Sequence, residues 1–66
     1  MWTSAIGMNA GKLWTILHAD GETNLSALKK RSKLNDRELY LALGWLTREG
    51  KVRYAQEKTA IKVSLQ

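Results

Sequence analysis

The chain has 66 residues, no cysteine, no proline and a formal net charge of +5 at pH 7. We expect a single domain over residues 1–66 with no disulfide and no thiolate metal site, because a chain of this length buries only about 60% of its unfolded surface. The sequence has no run of about 18 apolar residues and no signal-peptide pattern, which predicts a cytoplasmic protein without a membrane partner. The positive charge favours polyanionic partners such as nucleic acid.

The first predicted element is a helix that ends at Asp20 and Gly21. Its apolar residues recur at steps of four, three and four, which places on one face Ile6, Ala10, Leu13 and Leu17. Gly7 and Gly11 lower the helix propensity of the first part, by about 1 kcal/mol each relative to alanine. They leave the start of the helix open, with Asn9 as an alternative N-cap.

A second, shorter helix is predicted after Gly21. It carries Leu25 and Leu28 on its buried side and is capped by Thr23 or Asn24. A polar turn over residues 31–36 then separates it from the next helix.

The third predicted helix begins at a clear local signal. Asn35 is followed three residues later by Glu38, which is a capping-box pattern, and Gly50 marks the end of the helix. The apolar spacing predicts a buried stripe of Leu39, Ala42, Leu43 and Leu46.

Two strands joined by a loop over residues 56–60 complete the chain. Their alternating apolar residues are Val52, Tyr54, Ile61, Val63 and Leu65. Three helices followed by a β-hairpin form an α+β fold, and this is the element order of a winged helix-turn-helix domain. The hairpin, or wing, covers the open side of the three-helix core.

Three stretches carry a resemblance to known proteins: IGMNAGKLW at 6–14, LKK at 28–30 and LALGWLTREGKV at 41–52. Through them nearly the whole chain resembles a small uncharacterised bacterial and archaeal family of winged helix-turn-helix proteins. The pattern ALGWL-x-x-EGK is the most specific of the three. The resemblance implies the winged-helix fold and a role in DNA binding, and it implies no catalytic residue.

The outer side of the third helix is the surface that DNA-binding members of this fold present to the major groove. At about 100° per residue, the line opposite the buried stripe contains Arg37, Leu41, Gly44 and Arg48, flanked by Tyr40 and Trp45. Arg37 suits a guanine edge and Arg48 suits a phosphate.

The apolar residues on this outer side leave three alternatives. Gly44 admits a phosphate backbone, or it admits a second protein that contacts Leu41 and Trp45. In the third alternative, Trp45 packs back onto the first helix or the hairpin, and Gly44 is a tolerated cost in helix stability. Apolar clusters on an outer face more often mark protein interfaces. We therefore predict a protein interface, most simply of a homodimer, formed by Tyr40, Leu41, Gly44 and Trp45.

Basic residues around the end of the second helix and on the hairpin form another candidate surface. Such side chains contact phosphates without reading the base sequence. Together with the two arginines of the third helix, the predicted nucleic-acid-binding set is Lys29, Lys30, Arg31, Lys33, Arg37, Arg48, Lys58 and Lys62.

Nothing in the sequence favours an enzyme. His18 is the single histidine and suits the negative end of the first helix dipole, and MNAGK lacks the first glycine and the Ser/Thr of a phosphate-binding loop. We expect no catalytic site, cofactor, metal or small-molecule substrate. The predicted function is DNA binding of a regulatory type by a homodimer. The alternative is a protein-interaction module that keeps the fold without sequence-specific DNA binding.

Overall fold

A computed structural model describes the backbone of residues 2–66 and the side chains from Thr3 onward. The elements are α1 (Trp2–Asp20), β1 (Thr23–Asn24), α2 (Leu25–Ser32), α3 (Asp36–Arg48), β2 (Val52–Glu57) and β3 (Ala60–Leu65). The strands form one antiparallel sheet in the order β1-β3-β2. The predicted α+β fold of three helices and a C-terminal hairpin is therefore confirmed, and β1 extends the hairpin to three strands.

Helix α1 runs through both glycines that left its start open. It begins at Trp2, so Asn9 lies inside the helix and is not its N-cap. Its predicted end at Asp20 is confirmed, and the Gly21 N–H donates to the Leu17 carbonyl oxygen at 2.9 Å. The apolar face of the helix overcomes the low propensity of the two glycines, because packing contributes more to a helix in a protein than propensity does.

Side-chain caps fix the starts of α2 and α3. Asn24 caps α2, since its Oδ1 accepts a hydrogen bond from the Ala27 N–H at 2.8 Å. The predicted capping box of α3 is confirmed: Asn35 Oδ1 accepts from the Glu38 N–H at 2.8 Å, and Glu38 Oε1 accepts from the Asn35 N–H at 3.0 Å. These bonds satisfy N–H groups that have no partner inside their helices.

Helix α3 ends in a Schellman motif. Gly50 has a φ of +69°, a left-handed conformation that costs glycine little. The Lys51 N–H donates to the Leu46 carbonyl at 3.0 Å, and the Gly50 N–H donates to the Thr47 carbonyl at 3.0 Å. Gly50 thus ends α3 as predicted and turns the chain towards β2.

The turn between α2 and α3 is packed, which its polar sequence did not predict. Leu34 is buried within it. Ser32 is also buried, and its Oγ donates to the Lys29 carbonyl oxygen at 3.1 Å and accepts from the Leu34 N–H at 3.3 Å. This small polar network holds the start of α3 in place relative to α2.

One hydrophobic core joins the helices to the sheet. It consists of Ala10, Leu13, Leu17, Leu28, Leu34, Leu39, Ala42, Leu43, Leu46, Val52 and Val63. The predicted buried stripe of α3 is confirmed in full. Tyr54 and Ile61, predicted on the inner side of the hairpin, are exposed over 44% and 38% of their surface. Ile61 lies nearer the hairpin tip than Val52 and Val63. Tyr54 pairs directly with Val63, but it lies on the edge strand β2, whereas Val63 lies on the central strand β3.

Candidate nucleic-acid interface

The outer line of α3 faces solvent as the helical phase predicted. Arg37, Leu41, Gly44 and Arg48 are all exposed. Tyr40 beside the line is 57% exposed. This places a 13-residue helix with an arginine near each end on the surface of the domain.

Trp45 packs back onto α1, which was the third of the alternatives raised by the sequence. A Cβ atom added to Gly7 would lie 3.9 Å from Cζ2 of Trp45, an ordinary van der Waals distance. The indole therefore lies over Gly7, with 36% of its surface still exposed. Part of Trp45 is thus explained by packing within the chain, and an exposed part remains.

Gly44 has no such explanation within the chain. A Cβ atom added there would meet nothing within 4 Å among the described residues. Glycine in a helix interior lowers stability by about 1 kcal/mol relative to alanine. Packing within the described chain does not require this loss of stability, because an alanine side chain would meet no other atom within 4 Å. An alanine would therefore fit at this position within the described chain.

Two grooves run along the sides of α3. The first, of about 410 Å³, lies between α1 and the start of α3 and is lined by Ala5, Ile6, Asn9, Asn35, Arg37, Glu38 and Leu41. The second, of about 530 Å³, lies between α3 and the hairpin and is lined by Leu25, Tyr40, Leu43, Gly44, Thr47, Tyr54, Ala55, Gln56 and Ile61. We call them the α1–α3 groove and the α3–hairpin groove.

The grooves divide the four residues of the predicted protein interface between two sides of α3. Leu41 lines the α1–α3 groove, and Trp45 packs on α1. Tyr40 and Gly44 line the α3–hairpin groove instead. The structure therefore does not gather the four into one patch, although all four are exposed.

A chain of hydroxyl groups joins the hairpin to α3. Thr47 Oγ1 donates to the Leu43 carbonyl oxygen at 2.7 Å and lies 2.6 Å from the Tyr54 hydroxyl. Because the single Thr47 proton is used by the carbonyl, the Tyr54 hydroxyl is the donor of the second bond. This fixes the phenol ring of Tyr54 against α3.

Three of the eight predicted nucleic-acid-binding residues are already in ion pairs. Lys29 Nζ lies 2.8 Å from Asp36 Oδ1, and Lys62 Nζ lies 2.8 Å from Glu57 Oε1. Arg31 is paired with Asp20. Exposed pairs of this kind contribute only about 0–1 kcal/mol, so a phosphate group can replace the carboxylate.

The other five have no salt-bridge partner in the part of the chain that the structure describes: Lys30, Lys33, Arg37, Arg48 and Lys58. Lys30 and Lys33 lie at the end of α2 and in the following turn, and Lys58 lies at the hairpin tip. Unpaired cations thus occur on α2, on α3 and on the wing.

The paired lysines remain charged at neutral pH. The hydrogen bond and the charge of Asp36 raise the pKa of Lys29 above its ordinary value. The hydrogen bond and charge of Glu57 likewise raise the pKa of Lys62, and Lys62 lowers the pKa of Glu57 by the same two effects. Both lysines therefore carry a positive charge that is paired with a carboxylate in the folded chain.

Sequence reasoning missed an exposed cation and the polar end of the α3–hairpin groove. Arg53 is exposed on β2, where it alternates with Val52 and Tyr54, so it lies on the outer face of the hairpin. Gln56 and Ile61, which face each other across β2 and β3, line the groove. The strand alternation was the signal for these positions, but it did not predict a groove.

Over residues 2–66, no group of three or more His, Cys, Asp and Glu side chains is placed to hold a metal ion. None of the helices in this range is long and apolar enough to cross a membrane.

The fold is that of a winged helix-turn-helix domain, with three helices, of which the third has an exposed outer side, and a C-terminal wing. This fold is typical of DNA-binding proteins. The chain belongs to the family described as "Winged helix-turn-helix domain (DUF2582)", whose model matches residues 1–65. The family resemblance predicted from the sequence is thus confirmed.

A solved structure of similar fold is the solution NMR structure of protein BT2368 from Bacteroides thetaiotaomicron. It is 31% identical to this chain with a TM-score of 0.87, and the match covers 98% of this chain and 79% of that one. No curated protein matches the sequence.

Proposed function

We propose that this protein binds duplex DNA without catalysing a reaction, and that it does so as a homodimer with a regulatory role in transcription. The observation that carries the proposal is the outer line of α3. It places the exposed Gly44, with open space around it, between two arginines that have no salt-bridge partner in the described chain.

The dimensions of α3 suit a DNA groove. Arg37 and Arg48 are eleven residues apart, so they lie about 16 Å apart along the helix axis at about 1.5 Å per residue. The major groove is about 12 Å wide, which admits an α-helix about 10–12 Å in diameter. Arg37, in the first turn, is placed to reach base edges, while Arg48, in the last turn, is placed to reach a phosphate. Gly44 between them lets the helix come close to the sugar-phosphate backbone.

The other unpaired cations extend this surface. Lys30 and Lys33 lie on the α2 side and Lys58 at the wing tip. Phosphate contacts of this kind position a protein on DNA and supply affinity that falls with salt.

A salt series with random-sequence duplex DNA tests the proposal. The logarithm of the binding constant falls with the logarithm of salt concentration at a slope of about −0.9 per phosphate contacted, so phosphate contacts by Lys30, Lys33, Arg48 and Lys58 would give roughly −3 to −4 per bound chain. Absence of binding at low salt would refute DNA binding.

A matched pair of charge removals tests the surface itself. Lys30→Gln is expected to weaken binding to all sequences alike and to reduce the salt slope by about one. Lys12→Gln removes the same charge from an exposed position of α1, about 200° around the helix from the buried Ala10. Equal effects of the two variants would show that net charge, and not this surface, determines binding.

The homodimer is proposed to use the α1 side of α3. Leu41 is 39% exposed there, and the exposed part of Trp45 lies on the same side of the helix. Gly44 and Arg48 do not line the α1–α3 groove and stay available for DNA, whereas Arg37 lines it beside Leu41. A two-fold contact brings any new charge close to its own copy, so one acidic substitution is strongly disruptive.

We therefore expect the wild type to sediment as a dimer at micromolar concentration and Leu41→Glu to be a folded monomer. Met8→Glu is the control, because Met8 is 77% exposed on α1 and does not line the α1–α3 groove. A wild type that stays monomeric at high concentration would refute the dimer. If Leu41→Glu remains dimeric and loses DNA binding, Leu41 contacts DNA instead.

A second candidate function is a protein-interaction module without sequence-specific DNA binding. The exposed apolar side chains beside α3 favour it, since such clusters mark protein interfaces. It predicts a dimer that Leu41→Glu disrupts, together with no binding to duplex DNA at low salt.

A further inference from the structure

The α3–hairpin groove has aromatic walls and an uncharged lining. Tyr40 on α3 and Tyr54 on β2 both line it, and they are 57% and 44% exposed. No aspartate, glutamate, lysine or arginine is among the residues that line the groove. The interior therefore offers flat apolar surfaces to a ligand, with no carboxylate to repel an anion.

The groove is held open in its present shape. The hydrogen bond from the Tyr54 hydroxyl to Thr47 fixes one wall. Gly44 lies in the groove and contributes no side chain, so the space beside Tyr40 stays clear. A preorganised groove binds more tightly than one that must first be ordered, because less conformational entropy is lost.

One lysine lies near the Tyr40 end of this groove, and a second follows its hairpin wall in sequence at the hairpin tip. Lys29 lies at the Tyr40 end, since its partner Asp36 is one helical turn before Tyr40 on α3. Lys58 follows Gln56 by two residues at the hairpin tip. Glu57 alternates with Gln56 along β2, so it points to the outer face of the hairpin, where it pairs with Lys62.

We propose that the α3–hairpin groove receives an unpaired nucleobase of a DNA strand, stacked on the tyrosine rings, while the flanking lysines contact its phosphates. This inference rests on the proposed nucleic-acid binding and adds a site for unpaired bases to it. A base has an apolar planar face and an anionic backbone, which matches an uncharged aromatic groove with lysines near it. Gln56 also lines the groove, and its side-chain amide can donate to and accept from a base edge.

The test compares labelled oligothymidylate with a mixed-sequence duplex of the same length by fluorescence anisotropy at low salt. Loss of one stacked base weakens binding by roughly 5-fold to 150-fold, which is the range expected for Tyr40→Ala and for Tyr54→Ala on the single strand. Tyr40→Phe keeps the ring and is expected to bind like the wild type. Trp14→Ala removes an exposed aromatic ring from α1, outside the groove, and should have no effect.

Circular dichroism melts establish that each variant is folded. If Tyr54→Ala does not fold, Tyr54→Phe replaces it in the binding assay. It removes the hydroxyl bond to Thr47 and keeps the ring, so a smaller loss than in Tyr40→Ala is expected. Wild-type affinity in both alanine variants, or equal losses in Tyr40→Phe and Tyr40→Ala, would overturn the inference. So would a dimer that dissociates in Tyr40→Ala, because the groove would then be a protein interface.

The two proposals fail separately. Binding to duplex with none to oligothymidylate overturns the base site and leaves the proposed function intact. Binding to oligothymidylate with none to duplex supports the base site and refutes duplex binding. If free thymidine monophosphate competes as well as the strand, the groove is a nucleotide site, and the strand contact is overturned.

Discussion

The Gly44→Ala substitution adds one methyl group and should affect folding stability and partner binding in opposite directions. Nothing in the described chain lies within 4 Å of the added Cβ atom, so Gly44→Ala introduces no clash. Alanine is about 0.8–1.0 kcal/mol more favourable than glycine inside a helix. In a domain of this size, about 1 kcal/mol raises Tm by roughly 4–8 °C. The variant should therefore be more stable than the wild type.

The same methyl group should weaken DNA binding. If α3 meets a sugar-phosphate backbone at Gly44, the new Cβ occupies the contact. Overpacking of a close contact costs about 1–3 kcal/mol, which corresponds to roughly 5-fold to 150-fold in affinity. Melts followed by circular dichroism and a duplex titration measure the two effects on one sample.

Two other glycines provide controls, because alanine should raise stability at one of them and lower it at the other. Gly11→Ala also meets nothing within 4 Å, so it should raise stability by a similar amount and leave DNA binding unchanged. Gly50→Ala should lower stability by about 1–2 kcal/mol, because Gly50 has a φ of +69°. A Gly44→Ala variant that is more stable and binds DNA and dimerises like the wild type would refute the functional explanation of this glycine.

Three further predictions concern stability. Leu43→Ala should cost about 2–5 kcal/mol in urea titrations, whereas Arg48→Ala, at an exposed position of the same helix, should cost less than about 1 kcal/mol; equal costs would place the wrong face of α3 in the core. Asn35→Ala should cost about 0.5–2 kcal/mol by loss of the capping box, and an unchanged midpoint would mean that the cap contributes nothing. Lys62 lowers the pKa of Glu57 in the folded state, so the stability that Glu57 contributes is present above its unfolded pKa and is lost as the pH falls through the folded pKa. The stability difference between wild type and Glu57→Gln should thus be seen at neutral pH and low salt and vanish in acid, and a difference that persists in acid would exclude the ion pair as its source.

The start, end and inward face of α3 and the end of α1 were predictable because their causes are local. A capping box needs only Asn35 and Glu38, three residues apart. The end of α3 needs a residue that accepts a positive φ, and Gly50 supplies it. The buried face of a helix follows from apolar spacing at 3.6 residues per turn, so the α3 stripe was correct.

The hairpin and the turn show where local patterns failed. Alternation placed Tyr54 and Ile61 on the correct face of their strands, but how far the helices extend beneath that face is set by packing. Leu34 read as part of a polar turn because its neighbours are charged, and it is buried because α2 and α3 meet there. The loop is shorter than expected, since β2 and β3 pair as far as Glu57 and Ala60.

The candidate site also has features that the sequence determined and features that it did not. The sequence by itself determined which residues α3 exposes, since that depends on one helix and its spacing. Only the tertiary structure decided that Trp45 covers Gly7, that Leu41 and Tyr40 line different grooves, and that Lys29 is paired while Lys30 has no partner in the described chain. Such contacts depend on the distances and angles between elements. Those distances and angles arise when the apolar faces of several elements are buried together, so the residue spacing along one element does not specify them.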